Sequence, residues 1–243
     1  MTENWFGEAV ARSYDDSSGD MFAPSVVDPA VSFLADLAGG GRALELGIGT
    51  GRIALPLASR GVGVHGIDLS PEMVARLKEK PGGEAIDVAI GDFATTRVAG
   101  TFTVAYLVFN TIGNLTTQDA QVACFENVAR HLAPGGSFVI EILVPALRSL
   151  PPGERIQAFD LGPDHAGVDE YDTATQSLVS HHFSKVGGGW VRNRVPFRYV
   201  WPGELDLMAR IAGLTLAGRF ADWDRAPFTH ESTKHVSVYA RPR

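Results

Sequence analysis

The stretch Gly41-Arg42-Ala43-Leu44-Glu45-Leu46-Gly47-Ile48-Gly49-Thr50-Gly51 decides the fold of this chain. Its apolar first half predicts a short buried strand, and three glycines spaced two apart follow at once. Residues 52–60 then show a helical pattern. Because glycine lacks a Cβ and tolerates positive φ, a loop of this kind lets the backbone approach a nucleotide-like ligand. Arg52 stands where the dinucleotide fingerprint requires its third glycine, so the spacing argues against a pyrophosphate site.

Acidic residues follow the next two predicted strands. Residues 62–67 predict a second strand that ends in Asp68, about where an open α/β sheet places a carboxylate for the hydroxyls of a ribose. Residues 86–90 predict a third strand, followed by Asp92 and Phe93. An aspartate after a glycine is also a common turn former, and that interpretation of Asp92 stays open.

The middle of the chain continues the alternation of strands and helices. The apolar run at residues 102–109 predicts a central parallel strand that is buried on both faces. Residues 118–132 predict a helix, a tight turn follows at residues 133–136, and residues 137–144 predict a fifth strand. Such an alternation places a ligand outside the carboxyl ends of the strands.

Beyond residue 145 the period of the sequence changes. Residues 146–200 lose helical periodicity and predict an antiparallel sheet of short strands separated by glycine-containing turns. Residues 203–212 return to a helical pattern, and residues 214–223 and 234–240 predict a closing antiparallel hairpin. The chain is therefore expected to have an α/β core that spans residues 1–145 and 201–243, with an inserted β cap between them.

The segment from Glu45 to Gly51 resembles motif I of the class I S-adenosylmethionine (SAM) methyltransferases. The L-x-P-G-G pattern before the fifth strand, here Leu132 to Gly136, is similar to a recurrent feature of the same family. The resemblance covers residues 41–144. It implies a Rossmann-like, seven-stranded, mostly parallel sheet with a C-terminal antiparallel hairpin, and an antiparallel β cap for the acceptor inserted after strand 5.

The same resemblance implies SAM as the cofactor and S-adenosylhomocysteine (SAH) as the product. In that family the glycines pass beneath the methionine and ribose, the strand acid lies close to the cofactor, and the acid after strand 3 takes the adenine amino group. Tyr14 resembles a tyrosine that caps the cofactor's carboxylate or sulfonium in small-molecule relatives, although an ordinary aromatic of a surface helix would look the same. The expected cofactor contacts are Tyr14, Glu45, Gly47, Gly49, Gly51, Asp68, Leu69, Met73, Asp92, Phe93 and Phe109.

Histidines offer one candidate for acid–base chemistry. His181 and His182 are neighbours on a predicted cap strand, so their side chains point to opposite faces. His182 shares its face with Ser180 and Ser184, and such a polar face suits a wet acceptor site; exposure to bulk solvent would produce the same alternation. We expect His182 to act as a general base or to orient the acceptor.

The composition of the chain indicates which partners and which cellular location to expect. The 243 residues include 21 basic and 28 acidic side chains, and this net charge of −7 gives no general footprint for binding phosphate backbones. No basic leader with a long apolar run opens the sequence, and no stretch approaches a membrane span. The grouping of His230, Glu231 and His235 lacks a cysteine and suggests no metal site. The sequence predicts a cytoplasmic monomer or homodimer with a small-molecule partner.

Three classes of function remain in competition. The predicted function is SAM-dependent methyl transfer to a hydroxyl or amine of a small molecule, a bacterial secondary metabolite or its sugar, since the capped core resembles natural-product tailoring enzymes such as sugar-amine N-methyltransferases. A nucleic-acid methyltransferase shares the core, but the Asn/Asp-Pro-Pro-aromatic motif of the DNA amino-methylating members is missing from Asn110-Thr111-Ile112-Gly113. A non-catalytic SAM-binding protein would keep the glycine loop and close the acceptor cleft.

Overall fold

A computed structural model describes residue 4, residues 7–17 and residues 19–243 of the chain. The helices are α1 (Glu8–Ser17), α2 (Pro24–Ala38), α3 (Ala54–Ser59), α4 (Pro71–Lys78), α5 (Gln118–His131) and α6 (Pro202–Ile211). The strands are β1 (Arg42–Leu46), β2 (Gly63–Asp68), β3 (Asp87–Ile90), β4 (Phe102–Leu107), β5 (Leu132–Leu143), β6 (Ile156–Leu161), β7 (His165–Asp172), β8 (Ser177–Val186), β9 (Gly189–Arg198), β10 (Thr215–Phe220) and β11 (Lys234–Ala240).

The main sheet has seven strands in the order β10-β11-β5-β4-β1-β2-β3. The five strands from β5 to β3 pair in parallel, whereas β11 pairs antiparallel with both β5 and β10. The predicted Rossmann-like sheet with a closing antiparallel hairpin is confirmed. Strand order reverses between β1 and β4, and an open α/β sheet binds its ligand at that reversal, outside the carboxyl ends of the strands.

Helices cover both faces of this sheet, which explains why its central strand is almost entirely apolar. In β4 all residues but one are buried, among them Phe102, Val104 and Leu107. The apolar sides of α2 and α3 fill one face, and those of α5 and α6 fill the other. Each fully buried Leu or Phe side chain stabilises the fold by about 1.5–3 kcal/mol. Among the described residues, no helix combines the length and the apolar character that a membrane span requires.

A second sheet, which we call the cap, lies between β5 and α6 in the sequence. It has four antiparallel strands in the order β6-β7-β8-β9. A buried polar cluster ties it to the core: Arg198, the last residue of β9, donates to Gln121 Oε1 on α5 at 2.5 Å and to Glu204 Oε1 on α6 at 2.6 Å. Gln176, in the turn between β7 and β8, donates to the other oxygen of Glu204. The cap is thus anchored to two helices of the core.

Candidate functional site

The three loop glycines have positive φ but different surroundings. Their φ values are +67° at Gly47, +53° at Gly49 and +84° at Gly51, a region that L side chains rarely adopt. A Cβ on Gly51 would lie 3.0–3.1 Å from the side chains of Leu55 and Leu77, and one on Gly47 would lie 2.8 Å from a threonine side chain. A Cβ on Gly49 would meet nothing closer than 3.6 Å. Gly49 is therefore the loop glycine that leaves room for a ligand, whereas Gly51 allows close packing behind the loop.

Asp68, at the carboxyl end of β2, holds the glycine loop in place. Its Oδ2 accepts a hydrogen bond from the backbone N–H of Gly49 at 2.6 Å, and its Oδ1 accepts one from that of Ser70 at 2.9 Å. Burial raises the pKa of Asp68, while these hydrogen bonds oppose the rise. Met73 lies beside the loop, with its Cε 3.6 Å from the Cβ position of Gly49. A carboxylate offers about four acceptor sites, so Asp68 keeps capacity for ligand hydroxyls.

Glu45 lies behind the loop. Only 2% of the residue is exposed, and its Oε2 accepts a hydrogen bond from the hydroxyl of Tyr106 at 2.9 Å. The backbone N–H of Ala54, the first residue of α3, also donates to this carboxyl group. Burial raises the pKa of Glu45 to about 8. The strand acid of the motif therefore joins β1, β4 and the start of α3, a role that the sequence did not indicate.

The N-terminal helix α1 lies over the glycine loop. Asp15 accepts a hydrogen bond from the hydroxyl of Thr50 at 2.6 Å and pairs with Lys80 at 2.5 Å. Lys80 in turn donates to the carbonyl of Thr50 at 2.8 Å. These contacts bring Tyr14 close enough for the charges of Arg52 and Asp68 to act on it, and burial raises the pKa of its hydroxyl. Tyr14 therefore lies near the glycine loop.

The residues after β3 lie next to the glycine loop. Asp92 accepts a hydrogen bond from the backbone N–H of Ala94 at 2.8 Å, which is the turn-forming contact of the alternative interpretation. Phe93 is buried, and its ring edge lies 4.0 Å from the Cβ position of Gly47. Leu69, between β2 and α4, is half-buried. The structure therefore brings the ends of β1, β2 and β3 together.

The segment after β4 has an unusual backbone. Phe109 and Asn110, which follow one another, have φ values of +57° and +59°, and neither is a glycine. Glu141 on β5 fixes this conformation, because its Oε2 accepts from the backbone N–H of Phe109 at 3.0 Å. The indole N–H of Trp223 binds the other oxygen of Glu141 at 2.9 Å. The ring of Phe109 is 45% exposed and lies 5.2 Å from the guanidinium carbon of Arg52.

Two residues of this region were missed by sequence reasoning. Arg52 counted only as the residue that breaks the dinucleotide fingerprint, yet its guanidinium stacks on Phe109 and lies within electrostatic reach of Tyr14 and Glu45. Glu141 was overlooked inside an apolar strand. A lone carboxylate in such a strand is itself a signal, since a buried charge requires partners.

One face of the cap is turned to the carboxyl ends of the core strands. The hydroxyl of Tyr171 accepts a hydrogen bond from the backbone N–H of Ala146, three residues beyond β5. On the same face Leu178 and Phe197 pack with Tyr171, and Phe197 approaches the turn after β4 to 3.4 Å from the Cβ position of Gly113. We call this side of the sheet the inner face.

His182 lies on the inner face, farther along β8. It is four residues from Leu178, roughly 13 Å along an extended strand. Its Nδ1 is 3.1 Å from Nε2 of His165, and Nδ1 of His165 bonds to Oδ2 of Asp160. The carboxylate of Asp160 can only accept, so a neutral His165 carries its proton on Nδ1 and has a lone pair on Nε2. That lone pair accepts from Nδ1 of His182, so a neutral His182 carries its proton on Nδ1 and has a free lone pair on Nε2. Burial lowers the pKa of His182, and the electrostatic effect of the neighbouring His165 lowers it further.

His181 points the other way, as expected from alternation. It is buried on the outer face between Glu170 and Arg192, with its Nε2 3.1 Å from Oε2 of Glu170 and its Nδ1 2.7 Å from Arg192. Among the residues that the structure describes, no group of three or more His, Cys, Asp or Glu side chains is arranged to hold a metal ion.

Comparison with known proteins adds three findings. A family model described as "Methyltransferase domain" matches residues 43–136. Cypemycin N-terminal methyltransferase of a Streptomyces species is 28% identical, over 97% of this chain and 97% of that protein. The structure of the CcbJ methyltransferase from Streptomyces caelestis superimposes with a TM-score of 0.86 at 37% identity, over 98% of each chain.

More distant structures share the fold. CalS10, a SAM-bound amino pentose methyltransferase from Micromonospora echinaspora, has a TM-score of 0.66 at 20% identity, over 99% of this chain and 100% of the other. At that identity the likeness concerns the fold alone. The cap is included, because the match extends over nearly the whole chain.

Proposed function

Because this chain belongs to the class I SAM-dependent methyltransferases, we propose that it transfers the methyl group of SAM to an amine of a small natural product or short peptide. SAM is its cofactor and SAH its product. The observation that carries the choice of an amine is the similarity, over 97% of the chain, to a protein named as an N-terminal methyltransferase. The predicted hydroxyl acceptor is the competing outcome.

The residues at the carboxyl ends of β1, β2 and β3 fit this cofactor. A Cβ would fill the open space at Gly49, and the carboxylate of Asp68 lies next to it. We assign Asp68 to the ribose hydroxyls and Asp92 to the adenine amino group. Leu69, Met73 and Phe93 would supply apolar contact with the adenosine.

The other end of the cofactor would lie between α1 and the segment after β4. Tyr14 lies within electrostatic reach of Arg52 there, and the exposed ring of Phe109 lies under the guanidinium of Arg52. An aromatic face attracts a cation, and a guanidinium pairs with a carboxylate. Glu45 supports this arrangement from behind through Tyr106 and Ala54.

For methyl transfer, the protein mainly has to hold the acceptor and the cofactor in the correct relative position. Bound SAM supplies a methyl group activated by its sulfonium. Holding an acceptor at attack distance in the correct orientation supplies about 7–11 kcal/mol in favourable systems. An amine that arrives as an ammonium must also lose a proton before it attacks. We assign that step to Nε2 of His182, whose orientation is set by His165 and Asp160.

The acceptor would enter between the core and the inner face of the cap. Residues 146–200 are proposed to select it, while residues 1–145 and 201–243 hold the cofactor. The cluster around Arg198 keeps the two parts in a fixed relation. The division predicts that substitutions on the inner face change acceptor turnover and leave SAM affinity within a few-fold.

A panel of matched acceptors tests the proposal. The protein is incubated with SAM carrying a deuterated methyl group and with pairs that differ only in an amine or a hydroxyl: alanyl-phenylalanine amide against lactoyl-phenylalanine amide, and methyl glucosaminide against methyl glucoside. Mass spectrometry reports the transferred label. Methylation confined to the amine members supports the proposal. Methylation of the hydroxyl members, or of added nucleic acid instead, contradicts it.

A further inference from the structure

The inner face of the cap carries a carboxylate beyond the residues assigned so far. We propose that Asp169, held by Ser180, binds the protonated amine of the methyl acceptor. The inference rests on the proposed amine methylation and names the group that would select an amine over a hydroxyl.

Asp169 and its neighbour Glu170 differ in the partners of their carboxylates. They are consecutive on β7, so their side chains point to opposite faces of the cap. On the outer face, Glu170 pairs with Arg155 at 3.1 Å and with His181 at 3.1 Å. These partners hold the pKa of Glu170 below its usual value, through the hydrogen bond from His181 first and then the charge of Arg155. The charge of Glu170 is therefore neutralised within the protein.

Among the described residues, no lysine or arginine pairs with Asp169, and the imidazoles of His182 and His181 act on its carboxylate only electrostatically. The carboxylate accepts a hydrogen bond from the hydroxyl of Ser180. Burial raises the pKa of Asp169, and the hydrogen bond from Ser180 opposes the rise. A partly buried carboxylate that lacks a cation gains most from a cation brought by a ligand.

The position of Asp169 fits an acceptor site. It lies two residues from Tyr171, whose hydroxyl is bonded to the backbone of Ala146 beyond β5, and two residues correspond to roughly 7 Å along a strand. Asp169 is directly opposite Ser180 in the ladder between β7 and β8. His182 lies on the same face and within electrostatic reach of Asp169. An ammonium bound to Asp169 would thus lie beside the imidazole proposed to accept its proton.

The competing explanation is structural: the contact between Asp169 and Ser180 only stabilises the pairing of β7 with β8. That role would affect thermal stability and leave the choice of acceptor unchanged. The two explanations differ in whether the charge of the carboxylate, at constant shape, alters recognition of an amine.

The test uses Asp169→Asn, with Glu170→Gln as the matched control on the opposite face. Steady-state kinetics are measured with alanyl-phenylalanine amide and methyl glucosaminide, and SAM affinity is measured by calorimetry. Since a hydrogen bond to a charged group contributes about 1.5–3 kcal/mol, Asp169→Asn should raise the KM for the amine roughly 10- to 100-fold. SAM affinity should stay within about twofold, and Glu170→Gln should change the KM less than about threefold.

Two further measurements make the result specific. Binding to the SAH complex is followed by calorimetry, and Asp169→Asn should abolish the parent's preference for alanyl-phenylalanine amide over lactoyl-phenylalanine amide. Ser180→Ala keeps the carboxylate and should give a smaller rise in KM, so it serves if Asp169→Asn folds poorly. An unchanged KM and preference in Asp169→Asn, or equal losses in Asp169→Asn and Glu170→Gln, would overturn this inference while amine methylation by the parent stands. Methylation of the hydroxyl members alone would overturn both.

Discussion

Replacing Glu45 with glutamine should make the protein more stable, and increasingly so as the pH rises. Glu45 is buried, and its pKa is about 8 in the folded chain against 4.5 for an ordinary glutamate. Between those values the folded state holds a proton that the unfolded state has lost. Folding then takes up one proton, so the free energy of unfolding falls with rising pH by about 1.4 kcal/mol per unit.

The size of the effect follows from the interval of 3.5 pH units between the two pKa values. At about 1.4 kcal/mol per unit the burial of Glu45 lowers the stability by about 5 kcal/mol at pH 8, and by about 3 kcal/mol at pH 7, relative to pH 4.5. Glutamine keeps the shape and can still accept from the hydroxyl of Tyr106, but it carries no proton to lose. Glu45→Gln should therefore match the parent near pH 4.5 and exceed it at pH 8.

Urea unfolding of both proteins at pH 5, 6, 7 and 8 measures this difference. Other titrating groups, such as His235 with its pKa lowered to about 4 by burial, are common to both proteins and cancel. A difference that stays constant within about 0.5 kcal/mol across the series would refute the reasoning.

The same variant separates two roles for the strand acid. If Glu45 supports the loop from behind, Glu45→Gln should bind SAM within a few-fold of the parent. A loss of more than about tenfold would mean that the charge itself contacts the cofactor.

Three shorter predictions follow from the site and its anchoring. Gly49→Val should abolish SAM binding in calorimetry while the circular dichroism spectrum is unchanged, because the side chain would fill the open space at the loop; unaltered affinity would contradict the motif assignment. Arg198→Ala should lower the free energy of unfolding by about 3–5 kcal/mol in urea titrations, since it leaves Glu204 buried without its cation, and a loss below about 1 kcal/mol would remove the cluster as an anchor. His182→Ala should reduce kcat about 10²- to 10⁴-fold on the true acceptor with SAM binding retained, and a loss under about threefold would exclude a general base.

The sequence predicted the sheet well because its signals are local. The strand at Lys234–Ala240 has its predicted bounds, and the strand predicted before the glycine loop is present at Arg42–Leu46. Ser70 caps α4 by accepting a hydrogen bond from the backbone N–H of Met73, three residues along the chain. Helix α3 begins at Ala54, two residues later than the start of the helical pattern, because the positive φ of Gly51 extends the loop.

The long-range contacts that shape the site could not be predicted from the periodicity of the sequence. Arg198 meets Gln121 across 77 positions of sequence, and Glu141 meets Trp223 across 82. Alternation placed His182 and Ser180 on one face of a strand, but it could not indicate which face looks toward the core. That orientation depends on where the cap is anchored, and the anchors are long-range.

The left-handed backbone conformation of Phe109 and Asn110 implies that thermal stability and activity make opposite demands on position 109. A residue other than glycine in that conformation costs of order 1–3 kcal/mol, and asparagine tolerates it far better than phenylalanine. Phe109→Gly should therefore raise the melting temperature while it removes the ring that lies beneath Arg52. A library of variants selected for thermal tolerance alone would favour glycine at this position and accumulate poor methyltransferases. Engineering a robust form of the protein should leave Phe109 untouched and seek stability in the helices on the far side of the sheet.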